Sequence, residues 1–121
     1  MIGIGIDLVE MERFRTVLAR TPGIVERCFT ADETAYALRR NDPTERFAVR
    51  FAAKEATMKA MGVGLGRVRM VDIEVVRAES GQPSLLLHGG AAELSDELGI
   101  TRWMLTMTHA DHAAEAIAVA L

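Results

Sequence analysis

The sequence lacks a second cysteine and any long apolar run. Cys28 is the single cysteine, so no disulfide can form within the chain, and a reducing, cytoplasmic setting is expected. Asp7 and Glu10 interrupt the apolar stretch at the N-terminus, which argues against a signal peptide. The uninterrupted apolar runs are too short to cross a bilayer, so no membrane span is expected.

An excess of basic charge is also missing. The chain has 14 basic and 17 acidic residues, for a net charge of −3. A general nucleic-acid-binding protein normally carries a strong basic surplus, so we expect no nucleic-acid partner, although local basic patches can still bind phosphates or acidic proteins. The 121 residues fit one domain, residues 1–121. A domain of this size buries a limited fraction of its surface, so forming an oligomer would help it.

Lysine is scarce, because twelve of the fourteen basic residues are arginine. The two lysines, Lys54 and Lys59, lie on either side of Glu55. Lysine is a compact point charge whereas arginine is a planar fork, so this placement can matter chemically. Composition bias is the alternative explanation.

Periodicity and capping signals predict the element order β-α-α-α-β-β-α-β-β. This order is not a regular βαβ alternation, so we expect an α+β fold: a mostly antiparallel sheet of about five strands packed with a long central helix. The predicted strands cover residues 2–9, 72–78, 84–88, 103–108 and 114–121, and the predicted helices cover residues 10–19, 31–40, 43–61 and 90–98.

Two local patterns support the first strand and the long helix. In the strand, Gly3, Gly5 and Asp7 share one face, and the bare glycines allow another element to approach the backbone closely. The long helix should begin with Asp42 as N-cap, Pro43 at the first position and Glu45 at the third. A similar box at Thr30 and Glu33 predicts the start of the preceding helix.

Glu55 lies on a helix rich in apolar residues. With Lys59 it forms an i, i+4 pair, for which the ordinary interpretation is a solvent-exposed ion pair. A largely buried helix, however, requires its charges to have partners or an ion. Together with Asp7, Glu55 could provide the one or two carboxylates that Mg²⁺ takes alongside phosphates and water.

The loop after this helix carries alternating glycines at positions 62, 64 and 66, followed by two arginines. Glycines let backbone N–H groups come close to phosphate oxygens. The motif that closes a P-loop is absent, so the loop is either a phosphate-binding segment or a simple helix C-cap.

Four motifs in order now carry a resemblance. The sequence Gly5-Ile6-Asp7 occurs with Arg-Phe-Ala-Ala-Lys-Glu-Ala-Thr-Met-Lys at residues 50–59, with Gly81-Gln82-Pro83 and with Thr106-Met107-Thr108-His109. Together they resemble the small holo-acyl-carrier-protein synthase family of 4′-phosphopantetheinyl transferases, and the similarity covers nearly the whole chain. Two departures stand out: Gln82 replaces the family's lysine, and threonines replace serines before His109.

The resemblance implies that the enzyme transfers the 4′-phosphopantetheine arm of coenzyme A to a serine of an apo acyl carrier protein, releasing adenosine 3′,5′-bisphosphate. It implies a homotrimer with active sites between subunits. Asp7 and Glu55 would hold Mg²⁺, and Lys59 would lie close to the phosphates. The general base could be Glu55, a metal-bound water or a carboxylate of the carrier. The resemblance also places His109 among the catalytic residues, with Asp7, Glu55 and Lys59. The coenzyme A contacts that it implies involve Arg50, Gly64, Pro83, Thr108 and His109.

Carrier docking is expected on the first helix, where Arg13, Val17 and Arg20 share one face. These residues form a small basic patch with an apolar centre, and the resemblance assigns docking to an arginine at the position of Arg13. A plain solvated face is the alternative, because Glu10 and Glu12 are close. Two other functions stay open at this point: a Mg²⁺-dependent module that binds coenzyme A or a nucleotide without transfer, and a structural trimer.

Overall fold

The computed structural model describes residues 1–64 and 66–121. It contains five strands and five helices in these residues, with one short 3₁₀ turn at Met70–Asp72. The strands are β1 (Gly3–Glu10), β2 (Ile73–Arg77), β3 (Pro83–Leu87), β4 (Trp103–His109) and β5 (Ala113–Ala120), and the helices are α1 (Met11–Arg20), α2 (Ile24–Cys28), α3 (Ala31–Ala37), α4 (Thr44–Ala60) and α5 (Gly89–Glu97).

The α+β class with five antiparallel strands around a long helix is confirmed. The strands divide between two sheets: β5 lies between β1 and β4, and β2 pairs with β3. The predicted element order lacks α2. This helix has only five residues and follows a glycine at φ 78°, so it is too short for its periodicity to be recognised.

The capping box that begins α3 is confirmed in both directions. The Thr30 hydroxyl accepts from the N–H of Glu33, and the Glu33 carboxylate accepts from the N–H of Thr30. The box predicted for α4 is wrong in detail. Pro43 is the N-cap residue, although Asp42 does accept a hydrogen bond from the N–H of Thr44. Glu45 turns away from the helix end, and its carboxylate lies 3.3 Å from Nδ1 of His109.

Helix α4 packs directly against the glycine face of β1. A Cβ atom built on Gly3 would overlap the carbonyl oxygen of Ala60, and one built on Gly5 would overlap that of Ala56. The two main chains therefore touch without side chains between them, which is the close approach that the bare face predicted. This contact fixes the position of Asp7, the next residue on the same face of β1, relative to the second half of α4.

Small residues continue this close packing across the sheet. The buried face of β5 consists of alanines, and α4 presents alanines to it. These residues are Ala114, Ala116, Ala118 and Ala120 on β5, and Ala52, Ala53 and Ala56 on α4. The larger core side chains, among them Phe14, Phe29 and Phe47, pack at the α1–α3 end of α4.

The outer face of the same sheet is apolar and exposed. The register places Ile4, Val119 and Met104 in one cross-strand row, and Ile6 and Ile117 in the next. Ile4, Ile6 and Met104 each expose more than half of their surface. A contiguous exposed apolar face of this kind is typical of an interaction surface.

Lys54 is fully buried and has a structural role. Its ammonium group donates to Oε1 of Glu33 at 2.8 Å and to the main-chain carbonyls of Met70 and Ile73. The second oxygen of Glu33 accepts from the N–H of Val75. Burial lowers the pKa of Lys54, and Glu33 opposes that shift. The interpretation that groups both lysines with Glu55 is therefore wrong for Lys54, whose ammonium joins α3, α4 and β2.

Candidate active site

The structure brings Asp7, Glu55 and Lys59 together, although β1 and α4 are far apart in sequence. Nζ of Lys59 donates to Oδ1 of Asp7 at 3.1 Å and to the carbonyl of Ile6 at 2.9 Å. Glu55 stands one turn before Lys59 on α4 and lines the same cleft as Asp7. The predicted i, i+4 pair is therefore replaced by a cross-element pair: Lys59 bonds to β1, which leaves Glu55 free of a lysine hydrogen bond in the described residues.

The electrostatics of Glu55 reflect this arrangement. Its partial burial and, secondarily, the neighbouring charge of Asp7 raise the pKa of the Glu55 carboxyl, while Lys59 acts in the opposite direction. A second carboxylate next to Glu55 makes this end of the cleft favourable for a cation. The sequence predicted both residues, but their proximity required the fold.

The cleft has a volume of about 290 Å³ and combines this acidic end with an apolar wall. Phe14, Val17 and Phe51 line it, and Arg13 stands at its side. The acidic end can hold a cation with its phosphate ligands, and the wall can contact an apolar chain or a partner protein. Arg13, which the sequence placed on a docking face, thus lies beside the two carboxylates.

The donor set fits Mg²⁺. Among the residues that the structure describes, no group of three or more His, Cys, Asp and Glu side chains could hold a metal. A cation here would take two protein carboxylates, Asp7 and Glu55, and complete its coordination with water and phosphate oxygens. That is the usual way in which proteins bind Mg²⁺, whereas zinc sites recruit three or four protein ligands.

A second cleft lies on a different face of α4 and contains Arg50 and His109. It is lined by arginines from α4, from β2 and from the turn after α3, with Glu45 at its edge. Arg50 is buried, and burial lowers the pKa of its guanidinium. Nε of Arg50 has no hydrogen-bond partner among the described residues, which is uncommon for a buried donor. Arg50 and His109, predicted to bind the same ligand, are therefore brought together.

The remaining candidates lie elsewhere in the chain. Gly64 is exposed in the loop after α4, and its neighbour Leu65 in the Gly-rich segment lies outside the described residues. Pro83 begins β3 and lines a cleft of about 390 Å³ with Arg102 and Trp103. Thr108 lies on the outer face of the three-stranded sheet, opposite Glu115. Arg20 is exposed at the end of α1 and does not line the carboxylate cleft.

Sequence reasoning named Arg50 but missed Tyr36 and the other arginines around it. Arg46, Arg50 and Arg77 place their guanidinium carbons 4.0, 4.5 and 4.7 Å from the centroid of the Tyr36 ring. The i, i+4 spacing of Arg46 and Arg50 was a signal for one half of this cluster. Nothing in the sequence connected it with Tyr36 on α3 or Arg77 on β2.

Comparison with known proteins defines the class. The family model described as the 4′-phosphopantetheinyl transferase superfamily matches residues 3–119. The chain therefore belongs to this superfamily, and the resemblance carried by its four motifs is confirmed.

Within the superfamily, the chain is similar to proteins named holo-[acyl-carrier-protein] synthase. It is 42% identical over 119 residues to the one from Moorella thermoacetica, covering 98% of this chain and 93% of the relative. It is 47% identical over 109 residues to the one from Syntrophotalea carbinolica, covering 88% of this chain and 85% of the relative.

Solved structures agree with this grouping. The crystal structure of holo-[acyl-carrier-protein] synthase from Neisseria meningitidis matches with a TM-score of 0.89 at 31% identity, covering 100% of this chain and 99% of that one. The Helicobacter pylori enzyme in complex with coenzyme A matches with a TM-score of 0.85 at 27% identity, covering 98% and 99%. In the described part of this chain, no helix has the length and apolar character needed to span a membrane.

Proposed function

We propose that this protein transfers the 4′-phosphopantetheine arm of coenzyme A to a serine of an apo acyl carrier protein, in a Mg²⁺-dependent reaction. The observation that carries the proposal is that Asp7 and Glu55 line one cleft with Arg13, and that Lys59 forms a hydrogen bond with Asp7. The named relatives, and the coenzyme A complex of the Helicobacter pylori structure, support the substrate. The activity is assigned to residues 1–121 as one domain.

The reaction forms a bond between the serine oxygen and the β-phosphorus of coenzyme A and breaks the bond from that phosphorus to the leaving adenosine 3′,5′-bisphosphate. The serine gives up its proton to a general base as the bond forms, and the candidates for that base are Glu55, a metal-bound water and a carboxylate of the carrier. Phosphoryl transfer requires mainly positioning and charge stabilisation from the protein. A bound Mg²⁺ would neutralise pyrophosphate charge and help to fix an in-line geometry.

Different residues of the chain would bind the metal and stabilise the phosphate charge. Asp7 and Glu55 would hold the metal, with Asp7 fixed by its hydrogen bond to Lys59. The Lys59 side chain is about half exposed, so its ammonium can also face a phosphate and stabilise charge on the leaving group. Its bond to the carbonyl of Ile6 keeps the ammonium next to β1.

We further propose a homotrimer with active sites between subunits. The exposed apolar face of the three-stranded sheet supports an interface, because leaving it in water is unfavourable. The cleft with Arg50 and His109 lies on another face of α4 from the carboxylate cleft, so one subunit could supply the metal site and its neighbour the nucleotide contacts. Thr108 and Pro83 of the neighbouring subunit would also contact the nucleotide, and Gly64 would line the path of the pantetheine.

The proposed partner is the discrete acyl carrier protein of fatty acid biosynthesis, in the cytoplasm. Carrier proteins present an acidic surface, and Arg13 and Arg20 give α1 a complementary charge. Cys28 is buried and unpaired, in keeping with a reducing compartment.

Mass spectrometry of an apo carrier protein tests the transfer directly. After incubation with coenzyme A, Mg²⁺ and this protein, the carrier should gain the mass of one phosphopantetheine on its serine. Glu55→Gln should abolish the gain while preserving the fold, as checked by circular dichroism. The absence of a mass gain on several carriers with the unmodified protein would refute the transferase proposal.

Isothermal titration with coenzyme A separates the alternatives. The proposal expects binding that is strengthened by Mg²⁺ in the unmodified protein and insensitive to Mg²⁺ in Glu55→Gln. Binding without any transfer would instead indicate a binding module, and no binding would indicate a structural protein.

A further inference from the structure

Tyr36 lies at the centre of an unusual group of positive charges. We use the name tyrosine–arginine cluster for Tyr36, Arg39, Arg46, Arg50 and Arg77. All four guanidinium groups lie over the Tyr36 ring, at 4.0 to 5.6 Å from its centroid. An aromatic face attracts cations, so one ring gathers arginines from α4, β2 and the turn after α3.

Directed hydrogen bonds hold the cluster in place as well. Nη1 of Arg46 donates to the carbonyl oxygen of Tyr36 at 2.8 Å. Nη1 of Arg77 donates to the Tyr36 hydroxyl. The residue thus binds one arginine through its main chain, another through its hydroxyl and the rest through its ring.

In the described part of the chain, the arginines of the cluster form no ion pair of their own, because the nearby carboxylates of Glu33 and Glu74 are paired with Lys54 and His88. The ion pairs among the residues that the structure describes involve other groups, and none of the four arginines takes part in one. Burial is the main cause that lowers the pKa of Arg50; Arg77 and Arg46 add to the lowering, while Tyr36 and Glu33 oppose it. Holding like charges this close is unfavourable unless an anion binds to them.

The open side of the cluster is the second cleft, of about 180 Å³, which Tyr36 lines together with Arg46, Arg50, Arg77 and His109. The Nε of Arg50 is buried and has no hydrogen-bond partner among the described residues. Its edge carries one carboxylate, Glu45, and that group is next to His109. The cleft therefore has the charge and donors for a phosphate group.

We infer that Tyr36 is a positioning residue that pre-arranges Arg46, Arg50 and Arg77 to bind the 3′-phosphate of coenzyme A, and so sets the preference for coenzyme A over its dephosphorylated form. The inference rests on the proposed function. Coenzyme A has three phosphates, and the two of its pyrophosphate are assigned to Asp7, Glu55 and Lys59. The third requires a separate cationic site, and this cluster supplies one whose geometry is set before the ligand arrives.

Carrier modification with coenzyme A and with dephospho-coenzyme A tests the inference. The unmodified protein should prefer coenzyme A. Tyr36→Leu removes the ring and should lower the ratio of the two kcat/KM values about tenfold, through a higher KM for coenzyme A. Its kinetics with dephospho-coenzyme A should not change. Tyr36→Phe keeps the ring but loses the hydroxyl contact with Arg77. Its ratio of kcat/KM values should therefore lie between that of the unmodified protein and that of Tyr36→Leu. Arg27→Gln, an exposed charge change outside the cleft, should keep the original ratio.

Two results would overturn the inference. One is a folded Tyr36→Leu protein with an unchanged ratio of kcat/KM values. The other is an equal loss of kcat/KM with both substrates, which is the result expected if Tyr36 has only a structural role. If Tyr36→Leu does not fold, the exposed Arg77→Gln must lower the ratio, and an unchanged ratio there refutes the inference. Titration with adenosine 3′,5′-bisphosphate and with 5′-AMP tests the cluster independently of transfer. If the unmodified protein binds the bisphosphate more tightly than 5′-AMP, and Tyr36→Leu removes this difference in Kd, the result supports the inference even if no carrier is modified. Equal Kd values for the two nucleotides in the unmodified protein contradict it.

Discussion

Lys54 and Glu33 form an ion pair from which water is excluded: Nζ lies 2.8 Å from Oε1, and neither side chain is exposed. Lys54→Met should destabilise the protein by about 3–5 kcal/mol, because it leaves the Glu33 carboxylate buried without its charge partner. Urea unfolding measures the loss. Arg15→Met, which breaks an exposed pair with Glu12 and Asp42, is the matched control and should change stability little. A Lys54→Met protein as stable as the control would show that Glu33 does not depend on the pair.

Gly5→Ala should displace α4 from β1, because the new methyl group would overlap the carbonyl of Ala56. We expect a large drop in Tm, on the order of 10 °C or more for a destabilisation of about 2–3 kcal/mol in a domain of this size. Thermal unfolding followed by circular dichroism is the measurement. Gly90→Ala in α5 is the control, since a Cβ atom there meets nothing within 4 Å. Its Tm should stay the same or rise slightly, and an equal fall in both variants would exclude the proposed overlap.

The extent to which the site could be predicted differs from residue to residue. Strict alternation of residues in β1 predicted that Asp7 and the glycines share one face. The apolar composition of α4 predicted a role for Glu55, because a buried charge without a partner is unfavourable. The partner of Lys59 could not be predicted, because helical spacing pointed to Glu55, whereas the fold brings Asp7 within 3.1 Å. Lys54, one residue from Glu55, points to another side of the helix, since each residue turns the helix by about 100°. The division of five strands into two sheets depends on long-range pairing that local patterns do not contain.

Acid should remove a small stabilising effect of Asp42. Hydrogen bonds from Thr44, and then Arg15, lower the pKa of Asp42 from 3.8 to about 2. The folded state therefore favours the ionised carboxylate, and this stabilisation is complete above the ordinary pKa and is lost as the pH falls through about 2. Asp42→Ala should lower the free energy of unfolding by less than about 1 kcal/mol at pH 7, because the group is exposed. The difference from the unmodified protein should shrink between pH 4 and pH 2 in urea titrations, whereas a pH-independent difference would contradict the assignment.

Arg13→Glu should weaken carrier docking without weakening coenzyme A binding. Arg13 lines the carboxylate cleft, so a reversed charge there would repel an acidic carrier surface next to the reaction. We expect the KM for the carrier to rise about tenfold, equivalent to about 1.4 kcal/mol, with the KM for coenzyme A unchanged. Arg20→Glu, outside the cleft, should have a smaller effect, and Arg27→Glu on α2 should have none. An unchanged carrier KM in Arg13→Glu would exclude α1 as the docking face.

Ile6→Lys should break the proposed trimer. Ile6 exposes 51% of its surface in the middle of the apolar sheet face and lies opposite Ile117, so a lysine would place a charge in the interface. Light scattering after size exclusion should give three times the 13.2 kDa chain mass for the unmodified protein and a lower mass for the variant. Leu86→Lys changes an equally exposed leucine outside this sheet and should leave the mass unchanged. A monomeric unmodified protein would refute the trimer itself.

The two faces of β1 require different neighbours: the glycine face accepts the main chain of α4, and the isoleucine face requires an apolar surface. A shift of one residue in its pairing with β5 would press isoleucine side chains onto the main chain of α4 and turn the glycines outward. In such a misaligned strand, the side chains would prevent α4 from packing on one face, and the other face would lack its apolar surface. A slip of this kind during folding would therefore not be stabilised by packing on either face. A one-residue slip is therefore unfavourable for the strand that carries Asp7, and the observed register keeps this residue on the side of Glu55 and Lys59.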